Sequence, residues 1–421
     1  VRRMDGAGAT ALRGMRVLAR EGSRGVLRRA ASRLAGALGD AGSVLGLPDA
    51  DIADSADLRL AAPTAAPPHG VPLAVGWVLT PPGPGSGGHT TLFRMVEAVE
   101  ARGHRCVLFL DERHGGDPAE RARVIREWWP AVRAEVRDAR DGITGVDAAV
   151  ASSWETAHVL AVHGRAPMRR LYFVQDFEPW FHPRGAAYAL AEDTYRFGFR
   201  CVALGEAVAH ALRTEVGIEP DVTSFGCDTT VYRAAPDAHR DGVVAYARPG
   251  VARRGWELAR LALTRFHAAR PEVPIHVYGE HVRDLPFPAT RHGRLAPAAL
   301  NELYGRCVAG LAMSFTNISL VAEEMIAAGV VPVVGDTPSA RADLPGPAPA
   351  WARPTPAGIA AALVAAVDRP DRQAHALRIA ATARSGWDRA QADIVRILED
   401  EVWGAGRPGA PAAPGDRAEA S

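Results

Sequence analysis

The sequence predicts an α/β protein made of two doubly wound domains that face a cleft, and three observations carry that expectation. From Val71 onward, short apolar runs alternate with amphipathic segments; a polar, turn-rich stretch interrupts them near residues 227–242; the alternation then resumes. Apolar runs without polar alternation are what strands buried on both faces require, so each half reads as a parallel sheet covered by helices.

The first half opens with VPLAVGWVL, a Gly-rich turn, the helical TTLFRMVEAVEARG and then HRCVLFL, a strand, helix, strand unit. DAAVAS, RLYFVQ and RCVALG read as further strands, with helices near 153–162, 186–195 and 206–216. Beyond CDTTVYRAAPDAHRDG come the strand GVVAYA, the helix GWELARLALTRFHAA and the strand PIHVYG. CVAGLAMS, a helix near 320–328, the strand VVPVVG and helices after Pro356 and Pro370 complete the second half. The expected organisation is therefore an Arg/Ala/Pro-rich extension (1–70), a first domain (71–228), a linker (229–241) and a second domain (242–384). A helix over 385–402 is expected to return to the first domain, and the Gly/Pro/Ala-rich tail, 403–421, is expected to be disordered.

Composition narrows the function. The chain has 421 residues with 49 basic against 48 acidic groups, so a net charge of +1 gives no chain-wide attraction for nucleic acid and any anion must be held by a local cluster. Every basic residue is Arg, which fits a GC-rich coding sequence as well as a chemical need. Cys106, Cys201, Cys227 and Cys307 are far apart, with no C-x-x-C pair, so buried thiols in a reducing compartment are expected rather than disulfides or a zinc knuckle. No apolar stretch reaches the roughly 18 to 20 residues that span a bilayer, and the N-terminus lacks the core of a signal peptide; a cytoplasmic location is expected. Arg13, Arg16, Arg20 and Arg24 recur at helical spacing beside Leu12, Met15 and Leu18. Residues 1–40 could thus rest on an anionic membrane face or form a solvated extension, and the first of them could lie upstream of a true start at Met4 or Met15.

Three loops carry candidate chemistry. PPGPGSGGHTT, residues 81–91, joins a strand to a helix, where glycines let backbone N–H groups approach a ligand; it is read as neither a dinucleotide fingerprint nor a P-loop. YARPGVARRGWELA places Arg248, Arg253 and Arg254 at the C-terminal edge of the second sheet, where ligands of open parallel sheets bind. Planar guanidinium groups there suit a diphosphate. In SFTNISLVAEEMIAAGVVPVV a helix opens near Ser319 with free amides, and Glu324 faces the cleft to take ribose hydroxyls, while Glu323, about 100° round the helix, is expected to be solvated. No histidine spacing and no sheet-edge D-x-D supports a metal; Asp49-Ala50-Asp51 is a chance match in the extension.

Together these landmarks resemble the retaining glycosyltransferases of family 4, which have the GT-B fold. The resemblance covers about residues 75 to 400: GGHTTLFRM with ARGHRCVLF, FGCDTTVY, YARPGVARRG, HGRLAPAALNELYGRC and EMIAAGVVPVV stand in the family's order. It implies donor binding at Gly87, Gly88, Arg248, Arg253, Arg254, Tyr278, Gly279, Leu295, Thr316, Asn317, Ser319, Leu320 and Glu324. Acceptor binding is implied at His89, Gln175, Asp176, Glu178 and Trp180, and catalysis at Asp176, Arg248, Arg254 and Glu324. One departure is Thr316, where the family has the first glutamate of E-x7-E. With RLYFVQDFEPWFHPRG it resembles the bacterial rhamnosyltransferase branch that uses dTDP-L-rhamnose.

The expectation is a transferase that moves a sugar, L-rhamnose in the finer reading, from a nucleotide diphosphate to a cell-surface glycan or lipid-linked acceptor, with no cofactor and no metal. The alternatives are a UDP-hexose or GDP-mannose donor, a catalytically silent nucleotide-sugar-binding assembly protein, and a nicotinamide-dependent dehydrogenase.

Overall fold

The computed structural model describes residues 46–63, 66–83, 86–112, 116–318, 320–384 and 386–404. The expectations for residues 1–40, for Ser319 and for the tail from 405 onward lie outside them. The chain divides into two compact units, residues 1–52 and 53–421. The described part of the first contains one short turn, Asp49–Asp51, outside any sheet. Both sheets belong to the second unit.

The first sheet has seven parallel strands, β1 (Ala74–Leu79), β2 (Arg105–Leu110), β3 (Glu135–Asp138), β4 (Ala148–Ala151), β5 (Arg169–Val174), β6 (Arg200–Leu204) and β7 (Asp221–Thr223), in the order 3-2-1-4-5-6-7. Its helices are α1 (Gly87–Ala101), α2 (Pro118–Trp128), α3 (Trp154–His163), α4 (Ala186–Asp193) and α5 (Glu206–Ala211). The second sheet has six, β8 (Gly242–Ala247), β9 (Ile275–Gly279), β10 (Thr290–Gly293), β11 (Cys307–Leu311), β12 (Val331–Gly335) and β13 (Ala350–Ala352), in the order 10-9-8-11-12-13. With it go α6 (Trp256–Ala269), α7 (Pro297–Gly305), α8 (Leu320–Ala327), α9 (Pro338–Asp343), α10 (Pro356–Val367) and α11 (Arg372–Ala380).

Local sequence accounts for these elements. The inner strands β4 and β11 are buried at every position, as a sheet covered on both faces demands. Helix starts are marked by side-chain caps: Asp117 accepts from Ala119 N ahead of Pro118, Ser153 and Thr156 form a capping box, and Thr337 and Thr355 each precede a proline. The last helix, α12 (Asp388–Trp403), turns Ala390, Ile394, Ile397 and Val402 into the core of the first sheet, and its Glu399 pairs with Arg102 at the end of α1 at 2.9 Å. The four cysteines are buried free thiols.

Strand order fixes where ligands bind. In each parallel sheet the order in which the chain adds strands reverses between two central strands, β1 and β4 in the first and β8 and β11 in the second, and a crevice opens beyond their C-terminal ends. The loops after β1, β8 and β11 are the three that the sequence singles out.

Candidate functional site

The loop after β8 sets three arginines in different surroundings. Arg254 is largely buried, and its Nη1 donates to Ser314 Oγ at 3.0 Å. Burial pulls its pKa down, opposed by the Asp176 carboxylate. The Arg253 guanidinium stacks 3.8 Å from the centre of the Phe181 ring, its carbonyl accepts from Phe315 N, and its buried Nε has no hydrogen-bond partner among the described residues. Arg248 is more open, with Nε 3.5 Å from Glu280 Oε1. Gly255 holds this loop in shape: its φ of +63° admits the turn into α6, and a Cβ there would lie 2.8 Å from the Phe315 ring.

The loop after β11 meets the first domain. Thr316 Oγ1 donates to Asp176 Oδ2 at 2.7 Å, Asn317 N donates to Oδ1 at 3.2 Å, and Asn317 Nδ2 donates to the Gln175 carbonyl at 2.8 Å. Asp176 is 5% exposed. Burial raises its pKa, opposed by Thr316, Arg254 and Arg253. Asp176 therefore serves as a clasp across the cleft and as the carboxylate beside two partly buried guanidinium groups. The half-buried Leu320, at the start of α8, packs against the core of the first sheet.

Further along α8, Glu324 shares a hydrogen bond with Tyr232 and feels Arg94, while burial pushes its pKa up to about 7. Glu323 corrects the sequence reading. It is buried, not solvated, because the segment leading to α12 covers that side of the helix and brings Arg384 Nε within 3.4 Å of its carboxylate.

Other expected site residues divide into those at the cleft and those committed elsewhere. Gly87 and Gly88 open α1, and a Cβ on Gly88 would lie 3.8 Å from the Gln175 side chain, so Gly88 and Gln175 converge, while Gly87 faces open space. His89 contacts Thr80 O through Nε2 at 3.0 Å and Ser86 Oγ through Nδ1 at 2.8 Å. A carbonyl only accepts, so Nε2 carries the proton and both nitrogens brace the loop after β1; burial holds the ring neutral. Glu178 is turned into the first domain, where it accepts from Trp154 N at the start of α3 and from Tyr172 OH at 3.1 Å. It is an internal helix anchor rather than a group standing free in the cleft. Trp180 is half-buried with its ring 4.9 Å from Phe177.

Tyr278 is likewise internal, its hydroxyl 2.7 Å from that of Tyr304. Gly279 has a φ of +109° and sits where a Cβ would strike the Ala247 carbonyl at 2.5 Å, so it closes the ends of β8 and β9 together. Leu295 is half-buried against the second core. The sequence also needs one correction of its own: Gly83, Gly85 and Gly88 do stand at G-x-G-x-x-G spacing. Spacing alone therefore does not exclude a dinucleotide. Among the described residues no group of three or more His, Cys, Asp or Glu side chains is placed to hold a metal ion.

Sequence reasoning offered Phe181 with Trp180 as a sugar-stacking or interdomain aromatic, and Arg253 meets it across the cleft. It assigned no role to Ser314, Phe315 or Tyr232, whose partners Arg254, Arg253 and Glu324 are remote in sequence.

Comparison with known proteins bears on the fold. The model of the WsaF C-terminal domain matches residues 241–364, which contain all six strands of the second sheet. The O-antigen biosynthesis protein RfbC of Myxococcus xanthus is 30% identical over 331 residues, 73% of this chain and 25% of that protein. The chain thus spans about a quarter of the length of this relative. Among solved structures, Anabaena HepE in complex with UDP-glucose superposes with a TM-score of 0.58 at 13% identity, over 78% of this chain and 100% of that one. A glycosyltransferase of Rickettsia africae gives 0.56 at 9% identity, over 80% and 100%. At such identities the likeness is one of fold: this chain has the GT-B architecture, two Rossmann-like domains facing a cleft.

Proposed function

We propose that the protein is a glycosyltransferase that holds a nucleotide-diphospho-sugar on the second domain and passes the sugar to a glycan or lipid-linked acceptor on the first. The observation that carries this reading is the pair of partly buried guanidinium groups, Arg253 and Arg254, with the buried Asp176 as their neighbouring carboxylate. Two partly desolvated positive charges beside one negative charge favour a dianionic bridge such as a diphosphate. Arg248 lies within electrostatic reach of both and adds a third. As the bond to the leaving group breaks, charge grows on the diphosphate, where preorganised donors act most strongly. Glu324 takes the ribose hydroxyls, and amides at the start of α8 assist the phosphates.

In a retaining route on the front face of the sugar, the leaving phosphate oxygen receives the acceptor's proton. Asp176, already engaged by Thr316 and Asn317, then orients the reacting groups instead of acting as base. L-rhamnose from dTDP-L-rhamnose is the favoured donor, supported by Thr316 in place of a glutamate. A surface-polysaccharide acceptor is supported by the name of the Myxococcus relative. No described helix is long and apolar enough to cross a membrane. A cytoplasmic site of action, with peripheral membrane contact through residues 1–40, belongs to the same proposal.

Arg254→Ala tests the reading. A folded variant should lose about 10²- to 10³-fold in turnover, the scale for removing one preorganised donor to a developing anion. Unchanged turnover would overturn it. A calorimetric screen of dTDP-rhamnose against UDP-hexoses, GDP-mannose and NAD decides the donor, and donor binding without transfer to any acceptor identifies the silent assembly protein.

A further inference from the structure

Away from Arg254, the two stretches of chain that pass between the domains run side by side, with Gly386 N donating to Cys227 O at 3.0 Å in an isolated antiparallel bridge. On this bridge sits a cavity of about 390 Å³, within the size range of small-molecule sites. One wall is a face of α1, where Thr90, Arg94 and Glu97 recur at helical spacing. The opposite rim is Trp128, at the end of α2, with about half its surface exposed. Asp228 and the first turn of α12, with Asp388 and Gln391, close the rest.

The chemistry of this lining is selective. Glu97 is half-buried and makes no hydrogen bond among the described residues. Burial raises its pKa, opposed by Arg94 and reinforced by Glu100. Gln391 gives its amide nitrogen to Arg94 O at 2.9 Å, which fixes its oxygen as an acceptor. The one cation, Arg94, is already stacked 5.2 Å from the centre of the Trp387 ring and lies 3.9 Å from Asp228. Three carboxylates against one engaged arginine repel phosphates and nucleotides. An exposed indole beside planar acceptors instead matches a pyranose, which offers a C–H face for the ring and edge hydroxyls for the carboxylates. Past Glu97, Asp388 and Gln391 the cavity continues into a groove of about 630 Å³ between α1 and α12, so there is room for more than one sugar ring.

We propose that this cavity is a saccharide-binding site separate from the donor cleft, taking a neutral oligosaccharide with one ring on Trp128 and hydroxyls on Glu97 and Asp388. Because both crossings form its floor, an occupant touches the segments about which the domains open.

The test is binding to the full chain, with no need for turnover. Maltose, cellobiose and a rhamnose disaccharide are titrated by saturation-transfer NMR and calorimetry. At least one should bind saturably, and Trp128→Ala should weaken it by tenfold or more, while Trp128→Phe, which keeps an aromatic face, holds within about threefold. Glu97→Gln keeps one acceptor oxygen and should give an intermediate loss. Arg254→Ala should leave this binding unchanged, which separates the site from the transferase reading. Absence of binding by all three disaccharides, indifference to Trp128→Ala in a variant with native circular dichroism, or loss in Arg254→Ala would each overturn the proposal. So would preferential binding of glucose 1-phosphate at Trp128.

Discussion

Replacing Asp176 with Ala removes the acceptor of two hydrogen bonds that cross the cleft and the carboxylate beside Arg253 and Arg254. A hydrogen bond to an ionised group contributes about 1.5–3 kcal/mol net. Two of them, offset by the burial that makes this carboxylate reluctant to ionise, leave about 3 kcal/mol. The loss should fall on association of the domains rather than on either sheet, since Asp176 belongs to neither hydrophobic core cluster. Asp176→Asn keeps one acceptor oxygen and should lose about half as much. Chemical denaturation of Asp176→Ala, Thr316→Val and the double variant should give a coupling energy of about 1–3 kcal/mol, because each single change breaks the same 2.7 Å bond. Small-angle scattering should show the variants opening while far-ultraviolet dichroism stays native. Strict additivity of the two losses, within about 0.5 kcal/mol, would refute the clasp.

Two further predictions concern raised carboxylates. Asp343 of α9 accepts from Ala207 N at 3.0 Å, capping α5 from the other domain, and burial pushes its pKa up to about 6, with Arg384 and Glu206 also acting on it. In the folded state it binds a proton that the unfolded chain releases near its ordinary value of 3.8, so its contribution to stability falls as pH rises through that window to 6. Asp343→Asn should therefore gain on the wild type between pH 4 and 6 in pH-resolved melts, and parallel curves would contradict this. Glu324 ionises near 7, so nucleotide-sugar affinity should strengthen as pH rises through that value. Glu324→Gln should flatten the calorimetric profile; an unchanged pH slope would remove Glu324 from the donor site.

Much of this molecule is legible in the sequence because its inner strands are buried on both faces. VPLAVGWVL, DAAVAS, CVAGLAMS and VVPVVG could be read directly, and the loops that follow them mark the sheet edges. The edge strands were not legible. EVRD in β3 and TRHG in β10 are partly or largely exposed, and DVT in β7 and AWA in β13 have three residues each, so none carries a sustained apolar run. The site divides the same way. Arg253, Arg254 and Thr316 were visible as motif positions, but their partners Phe181 and Asp176 lie on the other domain, and no local pattern encodes that distance. Glu178 and Glu323 show the opposite failure. A charged residue beside a motif looks available until a buried amide or an arginine from a remote loop claims it.

Several contacts across the cleft share one physical character, and it bears on how the protein works. Besides the neutral Asn317–Gln175 bond and the packing of Leu320, the pairs Thr316 and Asn317 on Asp176, Arg253 on Phe181, and Asp343 on the amide of Ala207 each join a charged side chain to a partner on the other domain. Each contributes on the order of 1–3 kcal/mol, and each loses part of that to desolvation. Contacts of this kind differ from the apolar packing inside each sheet, which separates only when the domain unfolds. They exchange for water at modest cost, so the open and closed forms can lie within a few kcal/mol of each other. If a diphosphate binds Arg253 and Arg254 as proposed, it changes the charge beside Asp176 and need supply only about 3 kcal/mol of preference for one form to move the equilibrium by two orders of magnitude. On that reading, donor occupancy and domain closure are coupled through a carboxylate encoded in the first domain and a threonine encoded in the second.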